Sequence, residues 1–510
     1  MTVKVFSVGL RGLEGYRVQV QVEMFKATES MVIVGLPDTS VKESKERVLS
    51  AIRTLGCDVT DQKIVVNLSP ADQKKNGPFF DLPMAIGLLK EAGEFRDRIP
   101  EDTMFIGALA LDGAVEKVDG MLPALIAARS LGFKTVYLPF DPLLPLEMLE
   151  GVEFIVVQHI TDVLQHLAGQ GLLPFHGPTP WIEIAEQNKE HQRDFCHIIG
   201  HEHPKQALEI AAAGEHNVLL SGPPGCGKSL LAESLASILP PLTSDAKLEV
   251  ISLFQLAKEK LVSISTPPYR NPHHSASSAA IIGGGSNPRP GEISLAHRGV
   301  LFLDEISEFP KKTVDMLREP LETGKVTICR AHSTVSYPAQ FILIAAMNPC
   351  PCGYRGSNAH YCTCTPKQIQ AYESRISGPI YDRIDVLLSL NSVDLYQSRQ
   401  TQQTSADFRL RVEKARERQY ERYQEQICNA NIPYEKLMST SNVSEHQKKM
   451  IKQMSSKQQW SNRVEIKIIR LARTISDLEG SIGITDESIW KAMTLRRLNP
   501  HKEQHHAGKR

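Results

Sequence analysis

Long hydrophobic runs are missing: no apolar stretch approaches the roughly 20 residues that a helix needs to span a bilayer, and the opening MTVKVFSVGLRG lacks the long apolar core of a secretory signal. A soluble, cytoplasmic chain without a membrane partner is expected. Net charge is missing too, because 58 Lys+Arg balance 58 Asp+Glu, so any attraction for a polyanion must be local. Residues 401–510 are where it would lie: their 21 Lys+Arg against 13 Asp+Glu leave that segment at +8 and the remainder at −8. Cysteine is scarce. Nine in 510 residues are too few for a disulfide scaffold, yet four fall within residues 350–364 and need a local explanation. With 41% hydrophobic and 23% charged residues, neither a disordered chain nor a collagen-like repeat fits, and the length gives room for about three domains.

What is present divides the chain. Residues 1–165 alternate strand-like runs (MVIVGL, KIVVNL, MFIGALAL, TVYLPF) with helical patterns, as a compact α+β or α/β domain would. Residues 166–196 pass from Gly and Pro into charge and read as a linker. Residues 197–390 carry short buried runs, NVLLSG, VLFLDE and QFILIAAMNP, of the kind a parallel sheet uses. Residues 391–510 turn helical, with Val464, Ile468, Leu471, Ile475 and Leu478 on one apolar face, and HKEQHHAGKR reads as a frayed tail.

The chemistry is concentrated in the third segment. VLLSGPPGCGKSLLA is a strand, a GxxxxGKS loop and a helix, which is the context a phosphate-binding loop requires. Gly222, Pro223, Pro224, Gly225, Cys226 and Gly227 form the bend that turns backbone N–H groups toward phosphate, with Cys226 a filler. Lys228 neutralises β/γ-phosphates, and the Ser229 hydroxyl binds Mg²⁺. VLFLDE ends a buried strand on Asp304, suited to hold Mg²⁺ through water, and Glu305, suited to activate the attacking water. FILIAAMNP sets Asn348 at the end of another apolar strand, where its amide can position the same water.

GPPGCGKS, LFLDE and the strand ending in Asn348, in that order, resemble the AAA+ ATPases. PYRNPHHSASSAAIIGGGSNPRPGEISLAHRGVLFLDE, REPLETGKVTICRA and AAMNPCPCGY narrow this to the magnesium-chelatase-like branch, and the whole closely resembles the bacterial ComM/YifB family. The resemblance implies an α/β AAA+ P-loop core, a C-terminal helical lid and a ring of subunits, a hexamer, with ATP between neighbours. It assigns Arg383 in SGPIYDRIDV as the arginine finger, with Arg375 competing, and Arg463 as the sensor 2 arginine, with Arg470 and Arg473 as alternates. The N-terminal domain resembles the Lon protease domain (S5 domain 2-like), but Phe79 stands at the serine position and DGMLPALIAA has no lysine, so it is expected to be non-proteolytic. The family implies a DNA motor for helicase or branch-migration work in DNA uptake and recombination. The alternatives are a chelatase-like ATPase inserting metal into a porphyrin and a nucleotide-controlled scaffold.

Two segments could grip a polymer. One runs from Tyr269 to Gly285 with His273 and His274, and resembles the branch's helix insert. The other runs from Lys325 to Tyr337 and reads as a hairpin on which Lys325, Arg330 and His332 could meet DNA phosphates, or which could instead contact a neighbouring subunit. Cys350, Cys352, Cys362 and Cys364 form CxC, nine residues, CxC: four thiolates for Zn²⁺, or reduced free thiols.

Overall fold

The computed structural model describes residues 3–170, 193–259, 265–285, 288–330, 333–356, 360–393 and 403–496. His332, residues 171–192 of the expected linker and the tail lie outside the described residues. No helix among the described residues is long and apolar enough to cross a membrane.

The chain folds into two units, Met1–Gln187 with Ser244–Val262, and Asn188–Thr243 with Ser263–Arg510. In the first, strands β1 (Val3–Arg11), β2 (Glu14–Lys26), β3 (Ser30–Val34) and β4 (Gln62–Ser69) form a sheet in the order β1-β2-β4-β3, antiparallel except for the β3/β4 pair. Val18, Val20 and Val22 alternate along β2 and are fully buried, as a sheet covered on one face requires. Helix α1 (Thr39–Thr54) starts on Asp38, whose carboxylate caps the Val41 N–H, and helix α2 (Asp81–Glu91) is buried from Asp81 to Leu89. Its Gly87 lies so close to β2 that an added Cβ would meet Val22 Cγ2 at 2.7 Å. A parallel sheet of β5 (Thr103–Phe105), β6 (Thr135–Pro139) and β7 (Glu153–Val157), with helix α3 (Met121–Ser130), completes this unit. The helix Ser244–Ala257 also belongs here, although it lies within the segment read as the ATPase core. Its buried residues include Val250, Ile251 and Leu253; its Gln255 accepts from the Leu122 N–H at 3.1 Å, and Lys258 pairs with Asp119.

The second unit is built on a five-stranded, fully parallel sheet. Its strands are β8 (Val218–Ser221), β9 (Tyr269–Arg270), β10 (Val300–Leu303), β11 (Ile342–Met347) and β12 (Val386–Ser389), in the order β9-β10-β11-β8-β12. Apart from β9, these strands read as unbroken apolar runs because both faces of the sheet are covered. Ser221 pairs with Met347 and Leu303 with Ala345, so the loops after β8, β10 and β11 leave the same edge of the sheet. Helices α4 (Glu202–Gly214) and α5 (Lys228–Ile238) flank it; α7 (Ser405–Tyr423) packs on both, and α8 (Asn462–Glu479) packs on α4. Between β11 and β12 stands α6 (Pro366–Glu373), and the last helix among the described residues is α9 (Asp486–Leu495).

A buried polar seam ties the C-terminal helices to the sheet. Asp385 accepts from the Asn217 N–H at 2.9 Å and from Lys467 of α8, whose Nζ also donates to the Arg383 carbonyl at 3.0 Å. Arg496, just past α9, donates to the carbonyls of Ile384 and, at 3.2 Å, Tyr381. Burial alone would raise the Asp385 carboxyl, but the Lys467 ammonium and His216 overcome it and hold Asp385 well below the usual carboxylate range. Asp385→Ala leaves the Lys467 ammonium buried without its partner and is expected to cost about 3–5 kcal/mol of stability at neutral pH, measured by urea denaturation. Because the folded pKa is depressed, that contribution is complete above the unfolded value of about 4 and fades as the pH falls below it, so the variant and wild type should converge in acid.

Candidate functional site

The three loops that leave one sheet edge meet in a single hydrogen-bonded set. Gly225 and Gly227 have φ of +76° and +89°, a region that strains any other residue, and they turn the loop so that α5 begins at Lys228. A Cβ on Gly222 would lie 2.7 Å from Cys226 Sγ and 2.8 Å from the Leu390 carbonyl oxygen. Cys226 therefore fills the space beneath the bend; it is buried, and burial pushes its thiol pKa up, which makes it unreactive. Pro223 and Pro224 complete the turn.

Lys228 Nζ donates to the carbonyls of Gly222 at 2.8 Å and Pro223 at 3.0 Å, and to Asn348 Oδ1 at 3.1 Å. Ser229 Oγ donates to Asp304 Oδ2 at 3.0 Å, while the other Asp304 oxygen accepts from the Glu305 N–H at 2.9 Å. Glu305 itself is exposed and sits at φ +50°, an unusual backbone for a residue with a side chain. The site thus presents an ammonium, a hydroxyl, two carboxylates and an amide at the N-terminus of α5, a donor set suited to a polyphosphate and a hard divalent cation.

One neighbour escaped the sequence reading. His201, at φ +60° before α4, is hydrogen-bonded to the Cys226 backbone; its Nε2 lies 3.5 Å from where a Cβ on Gly227 would stand, and burial lowers its pKa. The only signal was the GHEH run at a helix start, which by itself says nothing about the loop 25 residues later.

The arginines separate. Arg383 is 15% exposed and bonded to Glu322 at 2.5 Å and to the carbonyls of Arg318 and Pro379; Arg375 is 52% exposed and bonded to Glu308 at 2.8 Å. These bonds lie apart from the Lys228 and Ser229 set. Arg463 is exposed in the first turn of α8, and Arg470 donates to the Ile432 carbonyl. Arg473 is buried against Asp477 at 2.7 Å and also donates to the carbonyls of Ser481 and Ile482, which leaves it no role at a ligand.

Strands Lys325–Arg330 and Ser333–Pro338 pair as an antiparallel hairpin, with Val326 and Ile328 buried and Lys325 and Arg330 exposed. The segment from Tyr269 to Gly285 holds β9, the short helix Ser278–Ile282 and the two-residue strand Gly283–Gly284, which pairs antiparallel with Arg289–Pro290, and the ring centroids of His273 and His274 lie 4.1 Å apart with the planes tilted by 33°. The four clustered cysteines do converge. Cys350 Sγ lies 3.4 Å from Cys352 and 3.7 Å from Cys362, Cys352 and Cys362 are 3.6 Å apart, and all four, Cys364 included, lie within 4.8 Å of one another. The Cys352 thiol is pulled down to about 6, first by the backbone hydrogen bond at Tyr354.

Family profiles described as "Subunit ChlI of Mg-chelatase", "Magnesium chelatase, subunit ChlI" and "Magnesium chelatase, subunit ChlI C-terminal" match residues 20–142, 194–398 and 402–496. The chain is 36% identical to YifB of Escherichia coli over 493 residues, 96% of each chain, and 36% identical to the competence protein ComM of Haemophilus influenzae over 499 residues, 97% of each. Similarity to the magnesium-chelatase 38 kDa subunit of Cereibacter sphaeroides is more distant, 26% over 174 residues, which is 30% of this chain and 52% of that subunit. With three profiles in chain order and that identity sustained over almost the full length of its relatives, the chain belongs to the ComM/YifB family of magnesium-chelatase-like AAA+ proteins.

Proposed function

We propose that the chain is a Mg²⁺-dependent ATPase that works as a homo-oligomeric ring, a hexamer, moving on single-stranded or branched DNA in the cytoplasm. The observation that carries the ATPase reading is the pair of bonds Lys228–Asn348 and Ser229–Asp304, which bring three loops remote in sequence to one point. The backbone amides from Gly225 to Ser229 and the N-terminus of α5 receive the ATP phosphates, and Lys228 exchanges its loop carbonyls and Asn348 for phosphate oxygens. Ser229 and Asp304 would hold Mg²⁺, which when bound offsets phosphate charge. Glu305 orients the attacking water and accepts its proton, and Asn348 fixes that water from the other side. Arg383 serves the neighbouring subunit's site, with Arg375 as its rival, and Arg463 of the C-terminal lid (residues 391–510) closes over the chain's own nucleotide. Zn²⁺ is the metal suited to Cys350, Cys352, Cys362 and Cys364.

DNA is proposed as the substrate because one full-length relative is named a competence protein and because the exposed Lys325 and Arg330 sit on a hairpin able to meet phosphates. DNA uptake and recombination are the setting we assign, and helicase or branch-migration movement the action. The match to chelatase subunits supports a second reading, insertion of metal into a porphyrin with partner chains. The N-terminal unit is read as a Lon-like domain without protease activity. Phe79 is buried and lies 3.6 Å from where a Cβ on Gly120 would stand, so a ring fills the region a serine–lysine pair would need.

Glu305→Gln should lower ATP turnover by about 10²–10⁴-fold while ATP still binds, as steady-state hydrolysis and nucleotide titration would report; unchanged turnover removes Glu305 from the chemistry. Arg330→Ala should leave basal turnover intact and abolish its stimulation by branched or single-stranded DNA. Stimulation by a porphyrin with partner subunits, and by no DNA, would favour the chelatase reading. Mixing two inactive variants, Lys228→Ala and Arg383→Ala, should restore part of the turnover, because a hybrid interface can pair an intact loop with an intact arginine; no recovery in assembled mixed rings argues against Arg383 acting in trans.

A further inference from the structure

The four thiols sit in the segment that joins the Asn348 strand to α6, and that position gives them a mechanical role. After β11 the chain runs through Asn348 and Cys350, makes an excursion, and returns through Cys362 and Cys364 to α6, whose first turn is capped by Thr365 and Gln368. Among the described residues from 350 to 365, only Cys350 and Gly353 are buried, so this excursion has almost no apolar core of its own. Something else must close it.

The sulfur geometry suits a metal. With metal–sulfur bonds of about 2.3 Å, a tetrahedral ion sets its sulfurs about 3.8 Å apart. The separations among Cys350, Cys352 and Cys362 are 3.4, 3.6 and 3.7 Å, too long for a disulfide bond and close to that value. Four cysteine ligands with no open position mark a structural site.

Both ends of the excursion touch the nucleotide site. Gly353, at φ +82°, packs under the phosphate loop: a Cβ there would lie 2.8 Å from Pro224 Cδ and 4.0 Å from Asn348 Cγ. From the other end, Tyr372 of α6 accepts from Ser307 Oγ at 2.6 Å and is hydrogen-bonded to the Asn348 backbone, so it links the segment after Glu305 to the Asn348 loop. Arg355 of the excursion pairs with Glu373 of α6 at 2.8 Å and straps the two ends together. We propose that a tetrathiolate Zn²⁺ at Cys350, Cys352, Cys362 and Cys364 is a strut of the ATP site, fixing Asn348 and the Pro224 side of the phosphate loop, so that metal occupancy controls turnover. This rests on the ATPase reading above.

The test begins with full-length protein purified without chelator, in which elemental analysis should find one zinc per chain. Replacement by Co²⁺ should give the intense visible bands of a tetrahedral tetrathiolate site, lost in Cys362→Ser/Cys364→Ser. Stripping the metal from wild type with a thiol-directed mercurial, followed by reduction, should lower ATP turnover by about tenfold or more, and adding Zn²⁺ back should restore it. Gly353→Ala keeps all four thiols but drives a methyl group into Pro224; it should retain zinc and still lose turnover, a result that also holds the proposal to account if the double cysteine variant does not fold. Absence of zinc together with no cobalt spectrum overturns the site, and metal-free protein with wild-type turnover overturns the strut. Zinc-loaded, assembled protein that hydrolyses no ATP would instead remove the ATPase reading on which the proposal rests.

Discussion

The parallel pairing of β8 with β11 is the constraint on which the site depends. Register is not free in a sheet buried on both faces, because sliding one strand would break its ladder bonds and displace every apolar side chain from its packing. With Ser221 opposite Met347, the residues that follow them, Gly222 and Asn348, must emerge side by side, and the β10/β11 pairing brings Asp304 to the same edge. The Lys228–Asn348 and Ser229–Asp304 hydrogen bonds are consequences of that alignment, since no local preference of those residues would bring 120 and 75 positions of chain together. This is the general behaviour of open parallel sheets, whose ligand crevices form where strand ends converge.

The helical part of the second unit grips the opposite edge of the sheet through the Asp385 seam, where Asn217 and Asp385 stand side by side just before β8 and β12. Lys467 grips the carbonyl of Arg383 as well as the Asp385 carboxylate, and Arg496 holds the carbonyls on either side. Lys467 lies one turn along α8 from Arg463. One helix therefore carries an exposed arginine and a mostly covered lysine that sets the backbone of another arginine. An ion pair of this kind contributes little net stability over a well-packed apolar pair, but it fixes one arrangement because an unpaired buried charge is costly.

The segment from Cys350 to Cys364 uses a different means to the same end. It lacks the apolar residues that would let it pack, and it stands between two loops whose positions matter to within an ångström. Four sulfurs converge there instead, within 4.8 Å of one another.

Periodicity and motif made the parallel sheet, the phosphate loop, the Asp304–Glu305 strand end and the hairpin legible, because each is a local pattern whose chemistry is confined to a few neighbouring residues. Val326 and Ile328 announced the buried face of the hairpin in the same way. The fate of the arginines was not legible: Arg463 and Arg473 lie on one helix, yet one is exposed and the other is consumed by Asp477, a distinction made by what packs against each face. His201 beneath the phosphate loop, the helix Ser244–Ala257 folding with the first unit and Gly353 against Pro224 were equally hidden. Sequence alone determined which groups could do the chemistry, since residue type and local spacing carry that information; only the tertiary structure decided which of them meet, because long-range contacts depend on strand register and side-chain packing that no local pattern encodes.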